Sequence, residues 1–189
     1  MKNKYILLRH GQTKYQAEKI DEVYPKEEVY KLPITEYGKE QIKKSAQELN
    51  SLGINLIFCS TYHRTRQSAK IVSEELNITP IFDERLIDTG NGIFSGRPMK
   101  EVIDFFKDKK DRFSAKAPEG ESWNDVIKRT SSLIKEIEKK YQDQIILIIS
   151  HADPIWLLAG YLRGLTEEEM ISQRNPQGIW PETGQYIIV

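Results

Sequence analysis

Tyr5-Ile-Leu-Leu-Arg-His-Gly-Gln-Thr-Lys-Tyr-Gln16 is the stretch on which the reading of this chain turns. Apolar residues run from Tyr5 to Leu8 without polar alternation, the pattern of a strand buried on both faces. The run stops abruptly at Arg9, His10 and Gly11. A glycine at that point permits backbone angles closed to other residues, so the chain can turn away and leave an imidazole beside a guanidinium at the strand tip. In open α/β sheets the carboxyl ends of the strands are where ligands bind.

Further along, residues 17–32 are charged and contain Pro25, with Pro33 just beyond, which predicts an irregular excursion over the sheet edge. Thr35 is an N-cap for a helix to about Leu52, with Ile42, Ala46, Leu49 and Leu52 as its apolar stripe and Gly53 closing it. Ile54 to Cys59 reads as a second buried strand. Ser60 and Thr61 offer N-caps to a helix from about Tyr62 to Leu76. Arg64 and Arg66 fall in its first turn, where the helix dipole disfavours cations unless an anion is bound between them. A short strand, Thr79 to Phe82, leads into a segment rich in Gly, Pro and charge, read as a partly helical lid that carries Asp88 among Gly90, Gly92 and Gly96. Within it, residues 107–112 read as a solvated helix face. Ser122 and Asp125 open a helix that keeps period to about Tyr141. Ile145 to Ile149 is then an unbroken apolar run, a central parallel strand ending in Ser150-His151-Ala152-Asp153-Pro154. Pro154 suits the first turn of a following helix, Ile155 to Leu162, and Tyr186 to Val189 can supply a last strand.

This alternation predicts an α/β fold: a three-layer α/β/α sandwich with a mostly parallel central sheet and an irregular lid, about 83–121, over the carboxyl edge of the strands. The 189 residues, 39% of them hydrophobic, suit one domain over 1–189. Lys plus Arg and Asp plus Glu both number 28, so no global field draws the chain to nucleic acid or membrane, and neither is expected as a partner. The lone Cys59 reads as a buried, inert thiol. With no leader-like start and no apolar run of membrane-spanning length, a soluble cytoplasmic protein is expected; a homodimer is left open.

The strand tips bring Arg9 and His10, Arg64 at a helix start, and His151 to one edge. Two imidazoles and two guanidiniums make a poor metal site, because the arginines repel a cation, so no metal and no cofactor is expected. They make a good phosphoryl site, since guanidinium forks match phosphate oxygens and stabilise the charge that spreads over them during transfer. A histidine flanked by guanidiniums has its proton binding disfavoured, which keeps it neutral and nucleophilic near pH 7.

Five stretches, Arg9-His10-Gly11-Gln12-Thr13, Leu32-Pro-Ile-Thr-Glu-Tyr-Gly38, Ser60 to Ala69, Pro118-Glu-Gly-Glu-Ser-Trp123 and Ile149-Ser-His151, match in order the motifs of a known family. In them the chain resembles the histidine phosphatase superfamily, which includes the cofactor-dependent phosphoglycerate mutases. The resemblance implies His10 as a nucleophile forming a phosphohistidine, Arg9 and Arg64 as phosphate clamps, and His151 as a second imidazole on the transferring group. Asp88 stands where the family's proton donor is usually Glu, and Glu84, Glu121 and Asp153 are the other carboxylates to weigh. Gln16 stands where many members carry a phosphate-binding Asn, and an amide hydrogen bond is expected of it. The expected activity is hydrolysis of a small phosphomonoester. The alternatives are mutase-type phosphotransfer, action on phosphoproteins, or a non-catalytic binding module. Residues 17–32 lack the Gly and Trp typical of mutases there, which favours the phosphatase.

Overall fold

The computed structural model describes residues 1–175 and 178–189. In chain order the elements are β1 (Lys4–Arg9), α1 (Lys14–Ala17), α2 (Glu36–Asn50), β2 (Leu56–Cys59), α3 (His63–Leu76), β3 (Ile81–Phe82), α4 (Met99–Phe106), α5 (Asp111–Ser114), α6 (Trp123–Lys140), β4 (Ile145–Ser150), α7 (Ala152–Arg163), α8 (Glu167–Ser172) and β5 (Tyr186–Ile188). Two 3₁₀ turns, Glu84–Leu86 and Gly92–Phe94, lie between β3 and α4.

The five strands form one sheet in the order β3-β2-β4-β1-β5. β1 and β4 are parallel neighbours with Leu8 opposite Ile149 and Arg9 opposite Ser150. β2 and β3 run parallel beside β4, whereas β5 returns antiparallel along β1 with Leu8 opposite Tyr186. The apolar runs of β1 and β4 face both ways, as their lack of alternation predicts. Tyr5, Leu7, Ile146 and Ile148 join a core with α6 and α7, while Ile6, Leu8, Leu147 and Ile149 join a second core with α2 and α3. Helices therefore cover both faces of the sheet. No helix among the described residues is long and apolar enough to cross a membrane.

Thr35 caps α2 by accepting the Gly38 N–H at 3.0 Å, and Ser122 with Asp125 forms the expected capping box of α6. Three local expectations are corrected. α3 has Tyr62 at its N-cap with no side-chain cap; the Ser60 hydroxyl, two residues earlier, lies against His151 and accepts the Tyr62 N–H at 3.4 Å. α7 begins at Ala152, three residues before the expected start, with His151 at its N-cap. Gly11 has no left-handed backbone. Its need for glycine is one of space: a Cβ there would lie 2.4 Å from the Gly38 carbonyl oxygen, so the chain leaving β1 presses directly on the start of α2.

Residues 83–121 lie over the carboxyl edge of the strands and carry a small core of their own. Phe94, Val102, Phe106 and Ala117 pack with Val23, so the excursion after α1 is joined to the lid. Backbone hydrogen bonds from Val23 to Arg97 and from Met99 to Asp21, each 2.9 Å, hold the two together.

Candidate active site

The register of β1 against β4 sets the site. With Arg9 opposite Ser150, the next residue of each strand is a histidine, and the two rings meet edge to face with centroids 5.3 Å apart. His10 and His151 are both buried. Arg64, wholly buried at the start of α3, lies beside them.

Arg64 Nε donates to His10 Nε2 at 3.3 Å. A guanidinium has no acceptor, so Nε2 of His10 must carry a lone pair and Nδ1 the proton, which it donates to the Gly11 carbonyl at 2.8 Å. The backbone thus fixes the tautomer. Burial first, then Arg64 and Arg9, holds the His10 pKa well below its ordinary value. Arg64 also donates from Nη1 to the Val29 carbonyl at 2.7 Å and from Nη2 to Asp88 Oδ2 at 2.8 Å, with its guanidinium over Tyr24 and Tyr62.

Asp88 is brought in by the lid. Its Oδ1 accepts the Thr89 N–H at 3.0 Å, and its Oδ2 stands 3.7 Å from His151 Nδ1. Burial raises the Asp88 pKa in spite of Arg64. The other three carboxylates are placed differently. Glu84 is exposed. Glu121 is forked with Arg129 at 2.8 and 3.0 Å and accepts the Gly90 N–H. Asp153 is half-buried, which alone would raise its pKa, but Arg174 and Arg112 outweigh that and hold it low. It accepts from Arg174 at 2.9 Å and from the Trp123 indole at 3.3 Å.

Arg9 lines a cavity of about 670 Å³ that opens above His10. One of its amino groups donates to the Pro181 carbonyl at 3.3 Å, and its Nε, though buried, has no partner among the described residues. Gln16 lines the same cavity, but its amide is engaged locally: Oε1 accepts from Thr13 and Nε2 donates to the Tyr24 hydroxyl at 2.8 Å. The structure therefore brings Arg9, His10, Arg64, Asp88 and His151 together and sets Gln16 at the rim.

Two expectations of placement fail. Arg66 does not share an anion with Arg64; it is exposed and lies over the Phe82 ring, 4.4 Å away, because it points off the opposite side of the helix turn. Residues 107–112 are not wholly a solvated face. Lys107, Lys109 and Arg112 line the cavity, and Arg112 packs on Trp123.

Arg129 of α6 had no sequence signal. Its guanidinium donates to the carbonyls of Arg85, Ile87 and Asp88 at 2.7, 2.9 and 3.1 Å. A single side chain thus pins the loop that presents Asp88. Besides Glu121, its partners are backbone groups more than forty residues away, which no local pattern could announce.

Comparison with known proteins points to one family. The family profile described as histidine phosphatase superfamily (branch 1) matches residues 5–178. Phosphoserine phosphatase 1 of Hydrogenobacter thermophilus is 27% identical over 157 residues, 80% of this chain and 72% of the relative. A protein named probable phosphoglycerate mutase GpmB of Escherichia coli is 26% identical over 164 residues, 84% of this chain and 74% of its own. Among solved structures, the mycobacterial glucosyl-3-phosphoglycerate phosphatase Rv2419c superposes with a TM-score of 0.77 at 21% identity, over 90% of this chain and 84% of that one. With five motifs in order, the strand-tip histidines they predict, and a family match over most of its length, the chain belongs to the histidine phosphatase superfamily, branch 1.

Proposed function

We propose that the protein is a phosphomonoesterase that hydrolyses a small phosphorylated metabolite through a phosphohistidine at His10. The observation that carries this reading is the forced tautomer of His10: a neutral ring with its Nε2 lone pair at the cavity floor and its Nδ1 proton held on the Gly11 carbonyl. That is the protonation state a nitrogen nucleophile needs.

In the resting site Asp88 Oδ2 occupies the point where Arg64 Nη2 and His151 Nδ1 converge, the place suited to a phosphoryl oxygen. An incoming phosphate, drawn by Arg9 and Arg64, takes those donors over and displaces the carboxylate. Arg64 Nε turns from His10 to the phosphate, and the freed Nε2 lone pair attacks phosphorus as the ester P–O bond breaks. Charge gathers on the equatorial oxygens, where Arg9, Arg64 and His151 stabilise it. Asp88, released from Arg64 and with its pKa raised by burial, takes up a proton from solvent and gives it to the leaving oxygen. The phosphorylated ring is cationic, and its Nδ1–H on Gly11 steadies that charge. Water then attacks phosphorus and passes a proton to the Asp88 carboxylate. The P–N bond breaks and returns neutral His10 with inorganic phosphate.

The printed names of the relatives include both phosphatases and a probable mutase. Steady-state phosphate release across a panel of phosphometabolites, run beside an assay of phosphoglycerate interconversion, separates the two. Release that outpaces interconversion on every substrate supports the phosphatase, and interconversion without net release overturns it.

A further inference from the structure

His151 is fully buried, and its two ring nitrogens have different surroundings. Nε2 lies 2.8 Å from Ser60 Oγ, whereas Nδ1 has no hydrogen-bond partner among the described residues and faces Asp88 Oδ2 at 3.7 Å. Ser60, at the tip of β2, is itself fully buried and rigidly placed: its N–H donates to the Ile149 carbonyl at 3.0 Å and its carbonyl accepts from the Thr65 hydroxyl at 3.0 Å.

The hydroxyl has one proton to give. Ser60 Oγ already receives the Tyr62 N–H, at 3.4 Å, and among the described residues His151 Nε2 is its one acceptor. If Nε2 held the ring proton, the Ser60 hydroxyl would be a buried donor with nothing to donate to, and the Nδ1 lone pair would face a carboxylate oxygen. A proton on Nδ1 removes both penalties.

We infer that Ser60 is a positioning residue for the reaction: its hydroxyl donates to His151 Nε2, places the ring proton on Nδ1, and so makes His151 an N–H donor to the phosphoryl group. This rests on the reading of His151 as a ligand of the transferring group, given above. Because a hydroxyl can also accept, Ser60 can turn its lone pair to an Nε2–H when the ring takes up a second proton beside bound phosphate.

The test is nitrogen-15 spectroscopy of the histidine rings in the intact protein, with His151 assigned by its disappearance in His151→Gln. The wild type should show a protonated Nδ1 and an unprotonated Nε2 at His151; the opposite tautomer overturns the inference without any further variant. In Ser60→Ala the His151 tautomer should shift, and kcat should fall by about 10- to 100-fold with KM little changed, the scale on which removing the partner that orients a histidine acts elsewhere. Ser60→Thr, which restores a hydroxyl, should return both readings toward wild type. A fall in kcat with the His151 spectrum unmoved overturns the inference. A shifted tautomer with unchanged kcat supports Ser60 as the setter of the proton and overturns instead the reading of His151 as a phosphoryl ligand.

Discussion

Arg64 Nη2 donates to Asp88 Oδ2 at 2.8 Å while the same guanidinium donates to His10 Nε2, so one buried side chain bridges the proposed acid and the proposed nucleophile. The pair decides which carboxylate can act. Glu121 is tied to Arg129, away from the cavity lining, and Asp153 to Arg174 at the cavity wall, whereas Asp88 is tied to Arg64, the arginine that also holds His10. Asp88→Asn should therefore slow esters with alkoxide-like leaving groups far more than activated aryl phosphates, whose leaving groups need little protonation. Initial rates on a matched alkyl and aryl pair check this, and equal losses on both would remove Asp88 from the acid role.

Arg129 should share that signature. Its hold on the carbonyls of Arg85, Ile87 and Asp88 positions the acid without touching the cavity floor. Arg129→Gln is expected to cost about 1 kcal/mol of stability from the part-buried carbonyls it leaves unpaired and to discriminate between alkyl and aryl esters as Asp88→Asn does. The double variant should be little worse than Asp88→Asn alone on alkyl esters, since both remove the same step. Additive losses would show that Arg129 acts by another route.

The sheet, its flanking helices and the histidines at two strand tips were legible because each follows from short-range pattern. The Tyr5–Leu8 and Ile145–Ile149 runs lack alternation, and a strand buried on both faces ends where its apolar run ends. Thr35 and Ser122 likewise act on backbone groups three residues away. What the sequence could not show is settled across long separations. Arg66 and Arg64 are alike as neighbours in a first turn, and only the packing of α3 on the sheet decides that one is buried and the other exposed. The charged run at 107–112 borders the cavity because the lid folds over on its own small core. Ser60 reads equally well as a helix cap until His151 arrives from β4.

Acid should destabilise the fold through the two histidines. Burial first, then Arg64, holds the pKa of His10 and of His151 well below the ordinary 6.5. As pH falls through that value the unfolded chain binds protons that the folded one does not, so stability declines with falling pH. The contribution is fully present above pH 6.5 and is lost progressively beneath it, toward the lowered values of the folded protein. Melting curves taken between about pH 7 and pH 5 should show a Tm that falls less steeply in His151→Gln than in the wild type. Identical slopes would mean that the ring is protonated in the folded state.

The central claim is the covalent one, that phosphorus becomes bonded to His10 Nε2. Mixing the enzyme with a labelled phosphomonoester and quenching with alkali before the first turnover is complete should trap phosphate on the protein in an acid-labile, alkali-stable form. Peptide mapping should place it on His10, and His10→Asn should trap none while losing turnover. Label that fails to appear on the wild type under single-turnover conditions, or turnover that persists in His10→Asn, would contradict the account.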